Sequence, residues 1–183
     1  MIACIGWGSL IWDRRNLDVD GNWRADGPKL PVEFARQSSD GRITLVIVQG
    51  VASVPTLWSA FDTLDVAKAR DTLREREGVF RSRADDFIAC WHRGENPASE
   101  PDATISAWAA GKELEAAVWT SLPPKFGGID GRVPTENDVV AYLQALEGRA
   151  RAAAEEYVRR APRQIATAYR RAIERALGWT PVD

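Results

Sequence analysis

Ile5-Gly6-Trp7-Gly8-Ser9-Leu10-Ile11-Trp12 is the stretch on which the reading of this chain turns. The apolar residues 2–5 form a short strand that runs directly into two glycines and a serine. Without Cβ atoms, Gly6 and Gly8 permit positive φ and let a ligand come close to the backbone N–H groups. Successive N–H groups in such a turn form a small anion-binding concavity. Leu10, Ile11 and Trp12 would anchor the turn in a core. A plain tight turn accounts for the same residues. The stretch is not a dinucleotide fingerprint, because Ile11 stands where the third glycine of G-x-G-x-x-G belongs. No Gly-Lys-Ser/Thr follows, so it is not a P-loop, and Ser9 lacks the flanks of a nucleophile elbow.

Outward from this turn, the composition is that of an ordinary globular chain. With 183 residues, 45% hydrophobic and 27% charged, it is long enough for one domain with a proper core. A net charge of −2 gives no bulk attraction to nucleic acid or anionic membrane. Cys4 and Cys90 lie in apolar, strand-like runs and read as buried free thiols in a reducing compartment. No basic n-region follows Met1 and no apolar run reaches the roughly 18 residues of a membrane helix, so a cytoplasmic protein is expected. Of the eight tryptophans, Trp7, Trp58, Trp91 and Trp119 fall in expected strands and suggest a core or pocket walled by indoles.

The first half reads as mostly strand. Residues 13–31, with Asp-Gly twice and Pro28 and Pro31, form a long loop whose length points beyond mere connection. Strands are expected at 32–37 and 43–48, joined by a hairpin turn at Ser38-Ser39-Asp40-Gly41. The run at 43–48 is apolar enough for burial on both faces. Another strand covers 53–61, with Pro55 near its start.

The period then changes. Asp65 can cap a helix over 66–77, with Val66, Ala69, Leu73 and Phe80 at helical spacing. At 100° per residue Glu77 falls within about 40° of Val66 and Leu73, while Glu75 points the other way. A glutamate on an apolar face is either a fraying end paired with Arg81 or Arg83, or a partly desolvated carboxylate with a raised pKa, suited to proton transfer.

Residues 86–92 read as a strand with Cys90 and His92 on one face, a possible thiol–imidazole pair. With His92 the only histidine, a zinc site would need carboxylates from elsewhere, and no metal is expected. Residues 95–111 read as a second polar loop and 113–122 as the last strand. The proline- and glycine-rich 123–131 resembles a lid or pocket rim. The rest is helical: Thr135 caps one helix, Gly148 interrupts it, 150–160 continues, and a last helix begins at Pro162. On that helix Arg163, Arg170, Arg171 and Arg175 are expected mostly on the solvated side.

Three landmarks now line up. Gly6-Trp7-Gly8-Ser9-Leu10-Ile11-Trp12 resembles the glycine-tyrosine-glycine-serine-leucine-isoleucine-tryptophan signature of the γ-glutamylcyclotransferase superfamily, ChaC branch. Arg76-Glu77-Gly78-Val79 is similar to the segment carrying that superfamily's catalytic glutamate, and Pro134-Thr135 with Tyr142-Leu143 to its later helix start. The resemblance implies an α+β fold: a single domain over 1–183, with a mixed β-barrel-like sheet, packed helices and a helical C-terminal part at 135–178. It implies a pocket where the glycine loop faces the glutamate. Glu77 would be the general acid/base. Gly6, Trp7, Gly8, Ser9 and Leu10 would bind substrate, a small γ-glutamyl amide or peptide cyclised to 5-oxoproline without metal or organic cofactor.

The chain departs from the family pattern at substrate contacts. Trp7 replaces the signature tyrosine, Arg81 stands where the branch places a tyrosine after its glutamate, and the serine-aspartate-histidine-arginine-glycine turn is reduced to Ser38-Ser39-Asp40-Gly41-Arg42. Two further functions therefore stand beside the cyclotransferase: a non-catalytic small-molecule-binding or interaction module on the same scaffold, and a thiol hydrolase using Cys90 and His92.

Overall fold

The structure is a computed structural model that describes residues 1–182. Its elements run β1 (Ile2–Gly6), β2 (Lys29–Leu30), β3 (Val32–Gln37), β4 (Ile43–Ile47), β5 (Val54–Pro55), β6 (Leu57–Ala60), α1 (Val66–Glu77), α2 (Ala84–Phe87), β7 (Ile88–His92), α3 (Glu100–Gly111), β8 (Ala116–Thr120), β9 (Lys125–Phe126), β10 (Ile129–Asp130), α4 (Glu136–Ala145), α5 (Gly148–Arg160) and α6 (Ala168–Leu177). The chain is α+β. Its two four-stranded sheets are open, and their pairings close no barrel. Interleaved segments make two compact units: Met1–Gly6, Asp13–Leu30 and Pro55–Leu122 in the first, and Trp7–Trp12, Pro31–Val54 and the chain from Pro123 onward in the second.

The first unit is built on the sheet β6-β1-β8-β7. Every residue of β1 is buried, which its unbroken apolar run requires of a central strand. β1 pairs antiparallel with β6 and parallel with β8, so Cys4 lies between Ser59 and Val118. Helix α1 packs on β7 and β8 through the face carrying Ala69 and Leu73. The long loop expected at 13–31 follows the open edge of β6. Asp20 and Arg24 donate backbone N–H groups to Ala60 and Trp58 at 2.9 and 2.8 Å, and Gly27 donates to Thr56 at 3.1 Å. It covers an edge that would otherwise offer unpaired backbone. At Gly27 a Cβ would stand 2.7 Å from the Thr56 carbonyl oxygen, so only glycine fits.

Residues 95–111 are not the polar loop expected. Ser99 caps α3 by accepting from the Asp102 N–H at 3.3 Å, Pro101 sits in the first turn, and Ile105 and Ala109 are buried. Proline at a helix start and glycine at its end are ordinary helix punctuation, not loop signals. The strand expected at 86–92 likewise starts at Ile88, because Asp86 and Phe87 close the short α2.

The second unit carries the sheet β10-β9-β3-β4. β3 and β4 form the expected hairpin, with a bulge between Phe34 and Arg36 and Gly41 left-handed at φ 89 in the turn. Segment 123–131 is itself a hairpin. Gly127 and Gly128 both take positive φ at its tip, and Lys125 pairs with Arg36 to join β9 to β3. Arg36 also donates to the Pro123 carbonyl at 2.7 Å. Helix α4 has a full capping box between Thr135 and Asp138.

The last helix starts at Ala168, not Pro162, and Arg170 is not on a solvated face. Only 1% exposed, its guanidinium donates to the carbonyls of Val158, Ala161, Pro162 and Ile165 between 2.7 and 3.2 Å. These carbonyls close α5 and the turn after it, where orphan acceptors need donors. At the start of α6, the buried Glu33 of β3 accepts from the Tyr169 N–H at 3.2 Å and from the Thr167 hydroxyl. Burial pushes the Glu33 carboxyl up, while these bonds and the one from the Phe34 N–H oppose that shift.

Candidate functional site

Glu77 is the last residue of α1, and both ends of the helix fix its place. Asp65 caps the start by accepting from the Ala67 and Lys68 N–H groups at 2.9 and 3.3 Å. At the end, Gly78 turns left-handed at φ 67, and Gly78 and Val79 return their N–H groups to Glu75 and Arg74. The helical phase separates the two glutamates as expected: the Glu75 side chain is 48% exposed and that of Glu77 17%.

The partner of Glu77 is neither Arg81 nor Arg83. Arg81 pairs with Asp71 and Arg83 with Asp86. Glu77 Oε1 instead accepts from Nη1 of Arg76 at 2.8 Å. Arg76 is buried, and its Nε and Nη2 both donate to the Asp13 carbonyl at 3.1 and 2.6 Å. Arg15, held left-handed at φ 50, donates to the Arg76 carbonyl at 3.3 Å. The start of the long loop is thus stitched to the end of α1. The same periodicity that singles out Glu77 also marks Arg76, which at 100° per residue stands about 20° from Ala69.

Within this unit the Glu77 charge acts on the Cys4 thiol of β1. Burial, and after it that charge, push Cys4 far up, with Arg76 opposing.

The turn residues Trp7, Gly8, Ser9 and Leu10 belong to the second unit and have their own supports there. Ile11 donates its N–H to Gly8 at 3.1 Å. Trp7 and Leu10 are buried, and the Trp7 indole N–H donates to the Leu45 carbonyl at 3.1 Å. Neither Gly6 nor Gly8 takes positive φ. The need for glycine at position 8 is closeness: a Cβ there would stand 2.5 Å from the Tyr157 hydroxyl oxygen. Tyr157 itself is buried in α5, accepts from the Leu45 N–H at 3.2 Å and meets Trp12 and Phe34 edge-on. A tyrosine far down the chain gave no local sign of this contact.

Cys90 and His92 do share a face, with Sγ 3.8 Å from Nε2. Cys4 and Cys90 are both free thiols, Cys4 buried and Cys90 half-buried. Burial pushes the Cys90 thiol up, against the Arg70 charge, which is the reverse of nucleophile activation. Among the described residues, no three His, Cys, Asp or Glu side chains are grouped to hold a metal ion, and no helix is long and apolar enough to cross a membrane.

Comparison with protein-family models, with curated proteins and with solved structures finds no match to this chain.

Proposed function

We propose that the protein is a γ-glutamylcyclotransferase-type lyase that releases 5-oxoproline from a small γ-glutamyl amide or peptide, with Glu77 as general acid and base. One observation carries this reading. The glutamate that resembles the family's catalytic residue is half-buried at the end of a helix capped at both termini and is held by a buried arginine.

The chemistry asks little of the protein. The substrate's own α-amine attacks its γ-carbonyl carbon, the C–N amide bond breaks, and a five-membered lactam and a free amine result. The nucleophile is already tethered, so much of the proximity problem is solved. Glu77 takes a proton from the substrate's α-ammonium, which frees the amine that attacks, and gives a proton to the leaving nitrogen. The reading brings with it a cytoplasmic location, a small-molecule substrate rather than nucleic acid or membrane, and no cofactor.

Incubation with glutathione, γ-glutamyl dipeptides and γ-glutamyl amines in isotopically labelled water tests it. The expected products are 5-oxoproline free of solvent oxygen and an equal amount of amine. Free glutamate carrying solvent oxygen would mean hydrolysis and would contradict the proposal. The alternative, a non-catalytic binding module, has one observation on its side: the Trp7 side chain uses its only hydrogen-bonding group on Leu45.

A further inference from the structure

Consecutive residues of a helix point about 100° apart and do not face each other. Arg76 and Glu77 nevertheless meet at 2.8 Å. Glu77 is the last helical residue before the left-handed Gly78, and the long Arg76 side chain folds across to it. The guanidinium is a costly group to bury, since the Arg76 side chain is only 4% exposed. Among its partners, the Asp13 carbonyl takes bonds from Nε and Nη2, the Asp13 carboxylate stands 3.9 Å from Nη2, and Glu77 Oε1 takes a bond from Nη1.

The arrangement is directional. The Asp13 carbonyl belongs to the main chain and has no rotamer to vary. Its chain segment is tied back to the same helix end by Arg15, which reaches the Arg76 carbonyl. A planar guanidinium locked on one side holds whatever it bonds on the other, which a lysine ammonium, a single point charge on a flexible stem, does not.

We infer that Arg76 is a positioning residue: its guanidinium, anchored on the Asp13 carbonyl, fixes Glu77 Oε1 and so leaves Oε2 for the two nitrogens between which the proton moves, the α-amine that loses it and the leaving amine that gains it. The inference rests on the reading of Glu77 as the proton-transfer group. Helix stabilisation alone would explain a basic residue in the last turn. It would not require an arginine buried between a main-chain carbonyl and the neighbouring carboxylate.

The test compares 5-oxoproline release by the full chain, Arg76→Gln, Arg76→Lys and Glu77→Gln, with rates expressed per folded molecule. Arg76→Gln is expected to lower kcat by roughly 100-fold while KM stays within about threefold, the signature of lost alignment rather than lost binding. Arg76→Lys should recover part of this and settle about tenfold below the parent. A kcat unchanged in both variants, with only Tm lowered, would overturn the inference. If Arg76→Gln does not fold, Arg76→Lys alone decides. A parent without activity, or a fully active Glu77→Gln, would show instead that the reading of Glu77 has failed. Crystal structures of the parent and Arg76→Lys then settle the positioning itself. A Glu77 carboxylate displaced by more than about 1 Å supports it, and an unmoved one overturns it.

Discussion

Gly8 has no side chain because the Tyr157 hydroxyl occupies the space where one would be, 2.5 Å from an ideal Cβ. Gly8→Ala should therefore destabilise the protein by about 1–3 kcal/mol, as overpacking does in a dense interior. Tyr157→Phe removes the oxygen and leaves Cζ at 3.5 Å, an ordinary contact, so the double variant should lose less than the sum of the two singles. Denaturant unfolding of the four proteins checks this, and additive losses would contradict it. At the same scale, Glu75→Gln should change turnover by less than about twofold, because a side chain on the exposed side of α1 touches nothing the chemistry uses. Glu77 was legible in the sequence because helix phase is a local property, fixed by residues within one turn. Arg76 was equally legible by phase, but an arginine among arginines and glutamates reads as a solvated face until its partner, sixty-three residues earlier, is in view. The purpose of Gly8 depended on Tyr157 in the same way.

Elements were readable where their signals are local. Asp65 and Gly78 bracket α1 and Thr135 opens α4, and all three act within four residues of themselves. The polar reading of 95–111 fails because Pro101 and Gly111, residues that break many helices, mark the two ends of one here. The long loop shows a different limit, since its partners lie along β6 and its own composition names none of them. Asp20 is central there: it accepts from the Ser59 hydroxyl at 2.6 Å, the Asn22 N–H at 2.9 Å and the Arg24 guanidinium at 2.9 Å. Burial works against its charge, but these three donors outweigh it and hold the carboxyl at about 2, below its ordinary 3.8. A depressed carboxyl contributes stability that is full above the unfolded value and is lost as pH falls through the folded one. Asp20→Asn should therefore be less stable than the parent at neutral pH, and the difference should shrink between 3.8 and about 2. Urea unfolding across that range measures it, and a gap that widens on acidification would contradict the assignment.

Across the whole chain, each unit has a sheet, helices against it and its own buried polar fixtures. In the second unit the fixture is Arg170, whose guanidinium serves four carbonyls and faces Glu174 at 3.3 Å. Arg170→Met would leave those acceptors buried and unpaired, and should lower stability by roughly 3–5 kcal/mol. Calorimetry would show it, and a loss below about 1 kcal/mol would mean that water or rearranged backbone takes over the acceptors. The change of period between residues 61 and 66 marked where strand gives way to helix, while the α+β class came from the family resemblance. The division of the chain between two units came from neither, because their segments alternate along the sequence and no run of residues carries that information. The central claim concerns one carboxylate, and its most direct test is the rate of 5-oxoproline formation by the parent and by Glu77→Gln, both shown to be folded. The account predicts release by the parent and a loss of more than about 100-fold in the variant, the scale of a missing general acid and base. A Glu77→Gln protein turning over at the parent's rate would contradict it.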